Sequence, residues 1–226
     1  EGELGFVDLI KALSKNDFNA EQLKKHGKKI INTCYIYDDQ LITGSIERIK
    51  DINIIPSPYL TGALDQYFQL PLIPMIETTR GCPFTCTFCA DGLAIKSKIN
   101  RYETQRTREE LQYIAKNINK VDELIVTDLN FGMYKQDVET AKEIANIQKN
   151  YNYPVSVDAP AGKNMPKRII NIASIMKGWS MGGVIQSSDP GVLKAIKRSN
   201  ISINAYQDLI DFGNKQKANR TYTEII

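Results

Sequence analysis

The sequence has no run of eighteen apolar residues, so no membrane span is expected. No secretory leader is expected either: the chain opens on Glu1-Gly2-Glu3, where a leader would place basic and then apolar residues. Neither charge dominates. Against 29 Lys and Arg stand 26 Asp and Glu, and a balance of +3 over 226 residues points to no nucleic-acid partner. The one dense basic run, Lys24, Lys25, Lys28 and Lys29, reads as a solvated face. Four cysteines are few for a disulfide framework at this length, and three of them fall within eight residues. A reducing, cytoplasmic setting with a metal or redox site fits that usage. There is no internal repeat and no low-complexity tract. No Met opens the chain, and Thr221–Ile226 reads as a strand just begun, so an internal piece of a longer protein is expected.

What the sequence does contain is periodicity. Phe6, Val7, Leu9, Ile10 and Leu13 recur at helical spacing and predict a short amphipathic helix over 5–14. Lys29–Tyr37 and Gln40–Thr43, flanking Asp38-Asp39, predict a small hairpin in which Cys34 reads as a core residue. Prolines crowd the stretch from Asp51 to Pro74 and argue against long helices and central strands there. This divides the chain into a 1–50 segment, a 51–71 linker and a 72–226 domain.

Beyond the linker, strands alternate with helices. Met75–Thr79, Glu123–Asp128, Pro154–Asp158, Ser180–Gln186 and a segment from Thr221 read as strands. Thr107 and Glu110 form a predicted capping box ahead of Leu111, Ile114 and Ile118, and further helices are expected over 136–149, 166–177, 189–198 and 204–217. Such alternation builds parallel sheet with right-handed crossovers. Four units and the start of a fifth predict an α/β fold, a β/α barrel or part of one, with its chemistry at the C-terminal ends of the strands.

The segment from Glu77 to Cys89 sets Cys82, Cys86 and Cys89 at C-x3-C-x2-C spacing. Thiolates are soft ligands for zinc or iron–sulfur clusters. An ordinary cubane takes four protein thiolates, so three on one loop leave one iron open to a substrate. Gly81 and Pro83 suit a loop that wraps tightly. Three other readings compete. Structural zinc prefers four ligands in C-x2-C pairs, and the sole histidine, His26, is distant. A fully ligated electron-transfer cluster would need Cys34 as its fourth ligand, and buried cysteines can also group by chance.

An aromatic residue before the third cysteine, on the loop after strand one of a β/α barrel, resembles the radical S-adenosylmethionine (SAM) superfamily. Pro56-Ser-Pro-Tyr-Leu-Thr-Gly62 and Pro74-Met-Ile-Glu-Thr-Thr-Arg-Gly-Cys82-Pro-Phe84 are similar to its class with an N-terminal cobalamin-binding domain. Glu1–Ile10 resembles the last loop and helix of that domain, so the 1–50 segment is expected to be its tail.

That resemblance implies a [4Fe–4S] cluster on Cys82, Cys86 and Cys89, whose open iron chelates SAM and whose electron releases a 5′-deoxyadenosyl radical. It places Phe88 near the adenine. Thr127–Gly132 occupies the place of a glycine-rich segment that holds the methionine amino group; most of the glycines are replaced, which points to Asp128 and Asn130. The same Asn130-Phe131-Gly132 can be read as a turn plus a core aromatic. Gln186, Ser187 and Arg198 match residues that approach the ribose and carboxylate. Against this, Ser188 can be a helix cap before Asp189-Pro190, and Arg198 a cation at a helix C-terminus. The implied reaction is methylation of an unactivated carbon with cobalamin as a further cofactor. Alternatives are a methylthiotransferase or cyclase type, or a structural metal-binding or electron-transfer module. Implied partners are a small-molecule or lipid-like substrate and a reductant such as flavodoxin or ferredoxin.

Overall fold

The computed structural model describes residues 2–215 and 221–225. Its chain divides into two compact units, Glu1–Ile55 and Pro56–Ile226. In the first, helices α1 (Gly2–Ser14) and α2 (Ala20–Lys25) enclose a minor core of Ala12, Leu23 and Ile30, with Leu9 and Leu13 against it. Asn19 caps α2 by accepting from the Gln22 amide at 3.1 Å. Strands β1 (Cys34–Tyr37) and β2 (Gln40–Thr43) form the hairpin. Its two turn residues, Asp38 and Asp39, both have positive φ (50° and 55°), as a two-residue type I′ connection requires. The strand starts later than Lys29 because Asn32 turns left-handed at φ 52°. Cys34 is exposed, contrary to its expected core position. It shares a face of the two-stranded ribbon with Ile36, itself 63% exposed, so alternation here does not mark a buried face.

The second unit begins in the proline-rich stretch, which is packed rather than free. Tyr59 and Phe68 stack at 6.2 Å and enter the main core, and the Tyr59 hydroxyl donates to the Met75 carbonyl at 2.9 Å. Strand β3 (Met75–Ile76) leads to a short antiparallel pair, β4 (Thr79–Arg80) with β5 (Asn100–Arg101). Then come α3 (Thr104–Asn117), β6 (Glu123–Val126), α4 (Gln136–Tyr151), β7 (Ser156–Asp158), α5 (Pro166–Ile175), β8 (Trp179–Gln186), α6 (Pro190–Ala195), α7 (Ile203–Lys215) and β9 (Thr221–Ile225). The sheet order β3-β6-β7-β8-β9 is parallel throughout, with neighbours in space following the chain. The sheet is open, with β3 and β9 at its edges, and forms part of a barrel.

The core explains this arrangement. Leu124, Val126 and Val157 of the strands are fully buried, as are Leu111 and Ile114 of α3, Ile144 of α4 and Ile172 of α5. The helical positions recur at three- and four-residue steps, giving each helix one apolar stripe for the sheet. Each such side chain contributes about 1.5–3 kcal/mol by leaving water. Phe131 and Trp179 meet edge to face at 5.4 Å, and the Trp179 indole donates to the Ala159 carbonyl at 2.9 Å.

Two local expectations change. Helix α3 starts at Thr104, ahead of Thr107. Thr107 lies within its first turns with its hydroxyl on the Glu103 carbonyl (3.4 Å), and Glu110 pairs with Arg106 (3.0 Å), so neither closes a capping box. Helix α6 is capped by Asp189, which accepts from the Val192 amide at 2.8 Å, and Ser188 is not the cap. Residues 216 and 217 of the expected last helix lie outside the described residues. No described helix is long and apolar enough to cross a membrane.

Candidate cofactor site at the cysteine loop

The three cysteines sit on the loop between β4 and β5. Pairing of Thr79 with Arg101 and Arg80 with Asn100 closes this loop at its neck, and Glu77 steadies the neck by accepting from Arg80 at 2.6–3.1 Å. Gly81 turns the chain in at φ 109°, where a Cβ would stand 2.5 Å from the Lys98 carbonyl oxygen. Inside, the amides of Cys82, Cys89 and Gly92 donate to the carbonyls of Lys96, Cys86 and Cys89 at 3.0–3.2 Å. Gly92 crosses the Cys86 backbone so closely that a Cβ would lie 2.2 Å from the Cys86 oxygen. The Thr87 amide donates to the Ile196 carbonyl at 3.1 Å, tying the loop to the end of α6. Cys82 and Cys86 are each 2% exposed, Cys89 is half-buried, and Phe88 stands 46% exposed on the same loop.

Asp128, at the end of β6, is buried and fully engaged. One oxygen accepts from the amides of Thr78 (2.7 Å) and Thr79 (3.0 Å), and the other from the Thr78 hydroxyl. Burial pushes its carboxyl up to about 6 against the pull of these donors. It therefore fixes the turn that enters the cysteine loop. Asn130 faces the loop itself: its Nδ2 lies 3.4 Å from Cys82 Sγ, while its Oδ1 is buried without a partner. Phe131 is fully buried, as the turn-plus-core-aromatic reading of Asn130-Phe131-Gly132 expects. Gly132 (φ 89°) and Tyr134 donate their amides to Asp137 at 2.7 and 2.9 Å. Burial raises the Asp137 carboxyl to about 6 as well.

At the end of β8, Gln186 is buried with φ 59°. Ser187, Ser188, Lys194, Arg198 and Asn200 line a cavity of about 470 Å³, which brings Ser187 and Arg198 together. Arg198 donates through Nε to Asn200 Oδ1 at 2.9 Å. Asn200 in turn donates to the Ile185 and Ser187 carbonyls at 2.6 and 2.9 Å. The Arg198 amide closes the end of α6 on the Leu193 carbonyl, so its helix-terminal placement is real while its side chain turns to Asn200. Two neighbours of these residues were not singled out in the sequence: Asn200, and Lys163, whose Nζ lies 3.8 Å from Cys82 Sγ. No local motif marks either one.

A parallel β/α sheet with three thiols on the loop after its first strand defines the class of protein, a partial barrel of the radical SAM type. The family model described as Radical SAM superfamily matches residues 76–222, and the chain belongs to that superfamily. Among curated relatives, the cobalamin-dependent radical SAM methyltransferase TokK of Streptomyces tokunonensis is 32% identical over 192 residues, covering 80% of this chain and 28% of TokK. The 2-(S-pantetheinyl)-carbapenam-3-carboxylate methyltransferase of Streptantibioticus cattleyicolor is 32% identical over 241 residues, 100% of this chain and 33% of that enzyme. The chain thus spans about a third of the length of these relatives. A solved structure of the cobalamin-dependent SAM radical enzyme OxsB, with aqua-cobalamin and SAM bound, shares the fold at a TM-score of 0.64 and 18% identity. That match covers all of this chain and 32% of OxsB.

The superfamily implies a cluster at this loop, and the residues fit one. The donor set is three soft thiols on one pinned loop, Cys82 and Cys86 buried and Cys89 half-buried, the ligand chemistry that an iron–sulfur cluster takes. The partnerless Asn130 oxygen beside Cys82 is an acceptor left open at the same place.

Proposed function

We propose that this chain is the cofactor-binding part of a radical SAM enzyme that holds a [4Fe–4S] cluster through Cys82, Cys86 and Cys89 and reductively cleaves SAM. The cleavage serves cobalamin-dependent methylation of an unactivated carbon. The observation that carries the reading is the pinned three-thiol loop with the buried, unpartnered Asn130 Oδ1 next to Cys82. A buried acceptor left open costs about 1–3 kcal/mol, which a bound ammonium would relieve. When bound, the cluster supplies the electron that breaks the sulfonium C–S bond.

The chain's own residues position and enclose. Asn130 Oδ1 accepts from the methionine ammonium. Asp128 acts at one remove, holding Thr78 and Thr79 at the loop's entrance. Phe88 offers an exposed ring to the adenine. Gln186 and Ser187 address the ribose, and the Arg198 guanidinium, oriented by Asn200, addresses the carboxylate. The 1–50 segment is the tail of a cobalamin-binding domain, a reading supported by the 32% identity to the carbapenam methyltransferase across the whole chain. A low-potential donor such as flavodoxin or ferredoxin supplies the electron in a reducing cytoplasm.

The test is anaerobic reconstitution with iron and sulfide, followed by electron paramagnetic resonance with and without SAM. A cluster spectrum altered by SAM is expected, with 5′-deoxyadenosine formed under reduction and absent in Cys86→Ala. A spectrum indifferent to SAM, stoichiometric zinc in place of iron, or cleavage retained in the variant would refute it.

A further inference from the structure

We infer that Lys163 raises the reduction potential of the cofactor held by the cysteine loop, acting through Cys82. The inference rests on the cluster reading above. Lys163 follows β7 on a segment fastened to the strand-end that carries Asn130. The Phe131 amide donates to the Pro160 carbonyl at 2.9 Å, the Gly162 amide returns to the Phe131 carbonyl at 2.7 Å, and Phe131 bridges Ala161. Gly162 packs so closely that a Cβ would stand 2.9 Å from Met133 Cβ. The origin of the lysine is therefore fixed. Its ammonium lies 3.8 Å from Cys82 Sγ and 5.2 Å from the centroid of the Phe84 ring, held between a sulfur and an aromatic face.

Two donors thus converge on one sulfur, the Lys163 ammonium and the Asn130 amide at 3.4 Å. Cys82 is 2% exposed and Lys163 half-buried, so water screens this pair only in part. Adding an electron to a cluster increases the negative charge on its thiolates. A cation and an N–H donor at a ligating sulfur stabilise that reduced form more than the oxidised one, which makes the cluster easier to reduce. Lys163 is 81 residues from Cys82 in sequence and touches it only because β7 neighbours β6.

The test compares the reconstituted chain with its Lys163→Met, Lys163→Arg and Lys163→Gln variants. Each is poised anaerobically at a series of potentials, and the reduced cluster is counted by electron paramagnetic resonance. Loss of the charge in Lys163→Met should shift the oxidised-to-reduced ratio at fixed potential at least tenfold toward oxidised, about 59 mV for a one-electron couple. Lys163→Arg should restore the wild-type midpoint, and Lys163→Gln should fall between. Asn130→Leu should shift the midpoint in the same direction as Lys163→Met. Equal midpoints in wild type and Lys163→Met, with equal iron content, would overturn this inference and leave the cluster reading standing. If Lys163→Met does not load, equal midpoints in Lys163→Gln and wild type overturn it. A wild-type chain that assembles no cluster would overturn both.

Discussion

Replacing Gly92 by alanine should empty the cofactor site while leaving the rest of the second unit folded. The added Cβ would sit 2.2 Å from the Cys86 oxygen, where ordinary contact begins at 3.4 Å, so the backbone must move by about 1.2 Å. The neighbours at 3.1 Å are also Cys86 backbone atoms, so no flexible side chain can absorb the clash. Overpacking of this kind costs about 1–3 kcal/mol. In a unit of this size each kcal/mol lowers the melting temperature by roughly 2–4 °C, so the fold should survive. The ligands are less tolerant: metal–ligand distances are held to about 0.2 Å, several times less than the displacement. Iron and sulfide per chain after anaerobic reconstitution, measured beside thermal unfolding, gives the answer. Gly2→Ala is the control, since nothing lies within 4 Å of its added carbon. Full iron content and a SAM-responsive spectrum in Gly92→Ala would refute the claim that this crossing sets the thiol spacing.

Two further predictions concern groups that act behind the site. Asp128 has its folded carboxyl raised to about 6 from 3.8, so the ionised form is penalised in the fold above about pH 6 and the penalty is gone below about pH 4. An amide can accept from Thr78 and Thr79 and donate to the Thr78 hydroxyl, so Asp128→Asn should be the more stable protein at pH 7.5, by up to about 3 kcal/mol. The difference should shrink as pH falls through that window; urea midpoints that diverge on acidification would contradict the assignment. Asn200→Ala removes an acceptor from the Arg198 guanidinium and two carbonyl contacts. A hydrogen bond to a charged group contributes about 1.5–3 kcal/mol, so calorimetry of the loaded chain should show SAM binding weakened roughly ten- to hundredfold. An unchanged Kd would release Asn200 from that role.

Helices α3, α4 and α5 were legible because each buries one stripe against the sheet, so period and burial agree. Leu111 and Ile114 carry that signal within a few residues. The cysteine trio stood out because its C-x3-C-x2-C spacing marks a candidate ligand set. What failed locally failed for competing local partners: Thr107 found the Glu103 carbonyl, and the hairpin bearing Cys34 has a face with no core. What was invisible was distant. The β4–β5 neck is two residues long on each side, too short for a periodic pattern. Lys163 and Asn200 reach Cys82 and Arg198 through strand order and the cavity at the end of β8, which no local pattern announces.

The bond from the Thr87 amide to the Ile196 carbonyl carries a consequence for biosynthesis. During translation the thiols emerge long before the residue that fastens their loop, and Asn130 and Lys163 arrive in the interval. Contacts of such sequence separation form late. If the loop holds the proposed cluster, iron delivered to the nascent chain would meet a loop that α6 has not yet fastened.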